Sequence, residues 1–192
     1  MNNGRKIEPH QENPLDNLIL IQTDKVSIYL HNRVPNITPN IITTIGLIFG
    51  LLSIYSLYKE YYILSFVLFW INYFFDCLDG HYARKYNMTT QFGDYYDHFR
   101  DFLIIICICT LIFIKLKTNK QKILFTIIIG ILIYLTTVHL GCQEDNSNSI
   151  KDNKLLQELI GLCKYEIEYT RYFGCGTLIS VISFYILYCY KQ

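Results

Sequence analysis

The sequence carries little charge and no marked excess of either sign: 17% of its 192 residues are charged and the formal net charge is +1. No basic stripe or strongly basic stretch occurs, which excludes a nucleic-acid footprint. Disorder is excluded too, because 52% of residues are hydrophobic and 16% aromatic, the opposite of a polar, highly charged chain. There is no internal repeat or low-complexity tract. The seven cysteines (Cys77, Cys107, Cys109, Cys142, Cys163, Cys175, Cys189) include no C-x-x-C pair with a matching second pair, so neither a zinc site nor a disulfide framework is expected. Most lie in or beside apolar runs, where a reduced thiol packs as a small hydrophobe. The first forty residues have no apolar run longer than Leu18 to Ile21, too short for a secretory signal, and no cleavage is expected.

What the chain has is apolar residues gathered in blocks. Ile41 to Tyr58 is eighteen residues without a charge, and at about 1.5 Å per residue such a helix approaches the thickness of a bilayer's hydrocarbon core. Further blocks run from Tyr61 to Phe75, Phe102 to Leu116, Ile123 to Leu140 and Gly174 to Tyr190. The expected fold is therefore all-α: a polytopic transmembrane helix bundle of five to six spans. The sixth would come from Gly141 to Phe173, where Leu155, Leu156, Leu159, Ile160, Leu162, Cys163 and Ile167 alternate with Lys154, Glu158, Lys164, Glu166 and Glu168. Charges cost about 2.5–3.5 kcal/mol each at mid-membrane, so that segment is expected to be interfacial or shielded within the bundle. Upstream, Leu15, Leu18, Ile19, Ile21, Val26, Ile28, Tyr29 and Leu30 mixed with Asp16, Gln22, Asp24 and Lys25 suit an amphipathic helix along the membrane surface. The chain thus divides into a leader, 1–38, and a transmembrane domain, 39–192.

Between the second and third blocks the sequence is crowded with acids. Asp76 and Asp79 are three residues apart and Asp97 and Asp101 four apart, so on helices each pair shares a face. Two adjacent antiparallel helices would aim four carboxylates at one another, with Arg84 and Arg100 compensating only in part. Clustered carboxylates suit a hard divalent cation, and ionisable groups inside a bundle mark function. Helix-end charges resting among lipid headgroups are the other reading, and the carboxylates alone do not separate the two. Asp94 extends the acidic face or serves the first helical turn. His81, Tyr82, Tyr95 and Tyr96 are either acceptor-pocket residues or interfacial anchors.

The spacing separates them. Asp76-x-x-Asp79-Gly80-x-x-Ala83-Arg84, eight residues, then Gly93-x-x-x-Asp97-x-x-x-Asp101 closely resembles the signature of the CDP-alcohol phosphotransferase family at all eight fixed positions. Pro39-Asn40-Ile41-Ile42-Thr43 resembles that family's entrance to its first span. The resemblance implies a Mg²⁺- or Mn²⁺-dependent phospholipid-synthesising transferase. It would move a phospho-alcohol or phosphatidyl group from a CDP-alcohol donor (CDP-diacylglycerol or a CDP-aminoalcohol) to the hydroxyl of a lipid or small alcohol, releasing CMP. It further implies metal ligation by Asp76, Asp79, Asp97 and Asp101, with Asp101 as general base, and a donor site formed by Asn40, Thr43, Gly80, Ala83, Arg84, Thr90 and Gly93. His98 after Asp97 is similar to the aminoalcohol branch, whereas Asp79 to Arg84 with Asn87, Thr90, Phe92 and Gly93 resembles the phosphatidylinositol-synthase branch; the two hints conflict.

If the N-terminus and the acidic loop share a side, it holds Arg5, Lys6, Lys25, Arg33, Arg84, Lys85, Arg100, Lys151, Lys154, Lys164 and Arg171, against Lys59, Lys115, Lys117, Lys120 and Lys122 opposite. That asymmetry favours a cytosol-facing site in the endoplasmic reticulum or an equivalent membrane, although the lysine-rich loop opposes it. A homodimer is a candidate assembly. The rival readings are an ion-handling membrane protein that uses the Asp cluster without transfer chemistry, an inactive interaction protein and a hydrolase.

Overall fold

A computed structural model describes residues 3–34, 36–147 and 154–191, the first three residues of the last stretch by backbone only. Lys151 lies outside the described residues, as do the side chains of Lys154, Leu155 and Leu156. The chain is all-helical, with no strand among the described residues: α1 (Pro14–Arg33), α2 (Pro39–Tyr58), α3 (Tyr62–Lys85), α4 (Gln91–Lys115), α5 (Asn119–Asn146), α6 (Lys154–Ile160), α7 (Ile167–Thr170), a 3₁₀ turn (Arg171–Phe173) and α8 (Cys175–Tyr190).

Local chemistry sets the boundaries. Prolines open α1 and α2, where a missing N–H is harmless. Thr90 and Thr118 cap α4 and α5 through their hydroxyls. Asn87, at φ 53°, ends α3 in the left-handed region, and the Met88 N–H returns to the Ala83 carbonyl at 2.8 Å, closing the helix end.

Among the described residues, four stretches are long and apolar enough to cross a membrane: Pro39–Tyr58, Tyr62–Lys85, Asn119–Asn146 and Ile167–Tyr190. The expected span at Phe102 to Leu116 lies in α4, whose Arg100, Asp101 and Lys115 confine its uncharged run to 102–114. That run, about 20 Å at 1.5 Å per residue, is shorter than the hydrocarbon core. Gly141 to Phe173 is not a single sixth helix. Gly141 belongs to α5, the seven-residue α6 is too short to cross, and α7 begins the Ile167–Tyr190 stretch.

The chain's return after α6 also corrects the expectation of reduced cysteines: Cys142 and Cys163 are joined in a disulfide. Their pairing depends on a chain reversal that Cys spacing does not encode. Gly141 permits the same approach, since a Cβ there would lie 2.2 Å from the Leu159 carbonyl oxygen.

Apolar side chains cover much of the outer surface. α1 buries Asp16, Leu20, Thr23 and Ser27 and exposes Leu18, Ile21, Ile28 and Tyr29. Apolar side chains also face outward from α3 (Ile63, Leu64, Val67) and α5 (Ile123, Leu124, Ile127, Ile131), a surface suited to lipid. Inside, Ile104, Ile108 and Ile112 of α4 and Leu116 just after it meet Leu178, Ile179, Ile182 and Ile186 of α8. α2 turns small residues inward, Thr43, Gly46, Gly50 and Ser53, so α3 approaches closely and the Ser53 hydroxyl donates to the Ser65 carbonyl at 2.8 Å. The two acid-bearing helices are not adjacent in the expected sense: α4 packs on α2 and α8 rather than closely on α3. That spacing leaves room for a cavity between them.

Candidate active site

Helical periodicity places Asp76 and Asp79 on one face near the end of α3, and Asp97 and Asp101 on one face near the start of α4. The structure brings all four to a single guanidinium. Arg100 is completely buried, its Nη2 pairing with Asp76, with Asp97 at 2.8 Å and with Asp101 at 2.7 Å, while Nη1 lies 3.2 Å from Asp79. Arg100 therefore compensates every member of the cluster, a larger role than its sequence position suggested. Gly46 of α2 makes room for it: a Cβ there would stand 3.1 Å from both Arg100 Nη1 and Phe75 Cβ.

Oxygens of Asp76, Asp97 and Asp101 lie within 4.8 Å of one another, and Asp79 stands beside this triad. Three converging carboxylates are the donor set that a hard divalent ion takes. Asp97 Oδ1 is buried, ion-paired with Arg100 Nη2 at 2.8 Å and otherwise without a hydrogen bond. The residues fit a hard divalent cation.

The acids open onto a cavity of about 300 Å³ that is also lined by Asn40, Thr43, Gly80, Ala83, Arg84, Thr90 and Gly93. The four aspartates and the seven donor-site positions that the resemblance implied thus share one chamber. Thr43 donates to the Pro39 carbonyl at 3.0 Å, and Thr90 accepts the Gly93 N–H at 3.0 Å, so both hydroxyls have structural partners as well. Gly93 lets α4 approach α2, because a Cβ would meet Asn40 Oδ1 and Thr90 Oγ1 at 3.0 Å. Gly80 leaves space for the Arg84 guanidinium, 3.1 Å from where its Cβ would be. Arg84 Nε donates to the Gly4 carbonyl at 2.9 Å. Asp94 and His98 reach the cavity wall.

His81, Tyr82, Tyr95 and Tyr96 are not among the residues lining it. His81 and Lys85 instead meet Asp24 of α1 at 3.0 and 2.6 Å, and Tyr82 meets His31 at 3.2 Å. These contacts fasten α1 to α3. Lys85, followed by His81, holds the Asp24 carboxyl below its usual range.

Sequence reasoning missed the far wall, which the N-terminal segment supplies. Lys6, Glu12 and Asp16 line the cavity with Gln143 of α5. Lys6 pairs with Glu144, Gln143 donates to Glu12 at 2.8 Å, and the Tyr73 hydroxyl donates to Asp16 at 2.5 Å. Burial raises the Glu12 carboxyl and pushes Asp16 up to about 7. The signal available in sequence was weak: two acids four residues apart at a helix start, indistinguishable from a solvated face.

Apolar outer faces, four span-length helices and an acid cluster opening on a polar cavity are the features of a membrane-type protein with a candidate site inside its bundle. The CDP-alcohol phosphatidyltransferase family matches residues 36–187, and the chain belongs to that family. A 62-residue stretch is 40% identical to an uncharacterized protein of Aquifex aeolicus (strain VF5), covering 32% of this chain and 32% of that relative's length. No solved structure matches the chain.

Proposed function

We propose that this chain transfers a phosphatidyl or phospho-alcohol group from a CDP-alcohol donor to an acceptor hydroxyl, with release of CMP. The observation that carries the reading is the convergence of Asp76, Asp79, Asp97 and Asp101 at the cavity that Asn40, Thr43, Gly80, Arg84, Thr90 and Gly93 also line. Asp76, Asp97 and Asp101, with Asp79 beside them, would hold Mg²⁺ or Mn²⁺, which supplies Lewis-acid neutralisation of the pyrophosphate. Arg84 offers a phosphate two donors at once. Gly80 and Gly93 keep the backbone open to the nucleotide, and Ala83 leaves space between them. Asp101 accepts the acceptor hydroxyl's proton as the new O–P bond forms and the P–O bond to CMP breaks.

The donor is CDP-diacylglycerol or a CDP-aminoalcohol, and the acceptor a lipid or small alcohol. Residues 39–192 form the transmembrane domain, with α4 as a fifth span whose charged first turns sit at the membrane boundary. In residues 1–38, α1 lies in the interface with Leu18, Ile21, Ile28 and Tyr29 toward lipid. The cavity side faces the cytosol in this reading. The test incubates purified protein with each donor, a panel of alcohols and Mg²⁺ or Mn²⁺, and measures CMP and the lipid product. CMP without a new ester would indicate a hydrolase, whereas cation flux without donor consumption would indicate an ion-handling protein.

A further inference from the structure

The acid cage already holds a cation of the chain's own. Nη2 of Arg100 contacts Asp76, Asp97 and Asp101, the same three residues whose oxygens converge within 4.8 Å. A divalent ion shared by those oxygens would need the place this nitrogen fills. The guanidinium cannot yield by losing its proton, since arginine stays charged in proteins. It yields by moving.

We propose that Arg100 is a tethered cation that competes with the divalent ion for the Asp76, Asp97 and Asp101 focus, so that ion binding requires its guanidinium to withdraw. This rests on the transferase reading only for the presence of a divalent ion at the cage. The side chain has a destination, because the cavity beside the cage is about 300 Å³ and carries further acids, Asp94, Glu12 and Asp16, on its walls. The return position is shaped by Gly46, which leaves Nη1 its space on α2. Arg100 thereby sets the ion requirement: apparent affinity falls by the fraction of molecules in which the focus is clear.

The full chain in lipid nanodiscs is titrated with Mn²⁺, the free ion being read by electron paramagnetic resonance. With the withdrawn state populated at about 10% or less, Arg100→Met is expected to bind Mn²⁺ about tenfold or more tightly than the natural protein. Arg100→Lys, a shorter cation, is expected to fall between them. Adding Asp101→Asn to Arg100→Met should weaken binding, which identifies the counted ion with the cage. Equal or weaker Mn²⁺ binding by Arg100→Met, or none by either protein, overturns the proposal, because an arginine that only supports the fold would give that result.

A second measurement needs no variant and decides the matter if Arg100→Met does not fold. Arg100 is completely buried, so phenylglyoxal labelling followed by mass spectrometry should be slow without divalent ion and accelerate as Mn²⁺ rises. Labelling of Arg100 that ignores Mn²⁺ overturns the proposal. Neither measurement reads CMP. Competition without lipid product would therefore sink the transferase reading alone, and product formation with Mn²⁺ binding indifferent to Arg100 would sink the competition alone.

Discussion

Asp101→Asn tests the proposed general base with little change in side-chain size. Arg100 donates to Asp101 Oδ1 from Nε at 3.1 Å and from Nη2 at 2.7 Å. An amide oxygen turned toward those donors preserves the contact but removes its charge, costing about 1–3 kcal/mol of stability. The effect on rate is expected to be larger. Loss of a general base typically lowers turnover about 10²–10⁴-fold, or about 2.7–5.4 kcal/mol of barrier. The assay is CMP release at saturating donor and Mn²⁺, with donor binding measured separately by titration. Binding should remain measurable, because Arg84 and the α2 residues Asn40 and Thr43 are untouched. Turnover at the natural rate would refute the base assignment. Recovery of rate on raising Mn²⁺ alone would refute it as well, since the residue's role would then be ion retention.

Arg84→Ala should raise the donor dissociation constant about tenfold or more, consistent with the loss of a charged hydrogen bond of about 1.5–3 kcal/mol; an unchanged titration curve would remove Arg84 from the donor site. Asp16 has its folded pKa raised from 3.8 to about 7, so folding takes up a proton between those values. Its contribution is complete at low pH, declines as pH rises toward 7 and is level above it, on the order of 4 kcal/mol in all. Thermal unfolding in detergent should show that decline in the natural protein and a flatter profile for Asp16→Asn; parallel profiles would contradict it. Gly141→Ala places a Cβ 2.2 Å from the Leu159 carbonyl and should cost about 1–3 kcal/mol through backbone displacement, read as a lower unfolding midpoint. The Asn87-Met-Thr89 sequon gives an orientation test: a glycan attached in cells would place the α3–α4 turn in the lumen and reverse the proposed topology.

Much of the site was legible because helical periodicity is local. Asp76 with Asp79, and Asp97 with Asp101, share faces by spacing alone, and the same rule puts Arg100 on the face of Asp97, three residues on. Its charge was visible, whereas its depth was not, because the space at Gly46 comes from a different helix. The far wall was illegible for a related reason. Glu12 and Asp16 meet Gln143 and Tyr73 across 131 and 57 residues of chain, distances at which pattern carries no contact information. α1 was recognised as a helix, but its buried residues mix Asp16, Thr23 and Ser27 with Leu20 while Leu18, Ile21 and Ile28 turn outward; hydrophobic patterning finds a helix, while its surroundings decide which side chains turn inward.

The charge count at the cage gives the competition at Arg100 its direction. Four carboxylates share one completely buried guanidinium, with Arg84 and Lys6 the further cations on the same cavity. A purely structural ion-pair network would be expected to approach balance, because an unpaired charge away from water is strongly unfavourable. The excess of carboxylates over the guanidinium faces a cavity, where oxygens of Asp76, Asp97 and Asp101 lie within 4.8 Å of one another. A divalent ion has twice Arg100's charge and can take oxygens from several carboxylates at once. The resident arginine thus holds the acids together without satisfying them, and stronger neutralisation favours exchange once the guanidinium can enter the cavity. The balance shifts the other way if an acid is removed: Asp79→Asn, which leaves the triad intact, should weaken the hold on Nη1 and so tighten Mn²⁺ binding. Weaker binding in that variant would show that Asp79 serves the ion more than it serves Arg100.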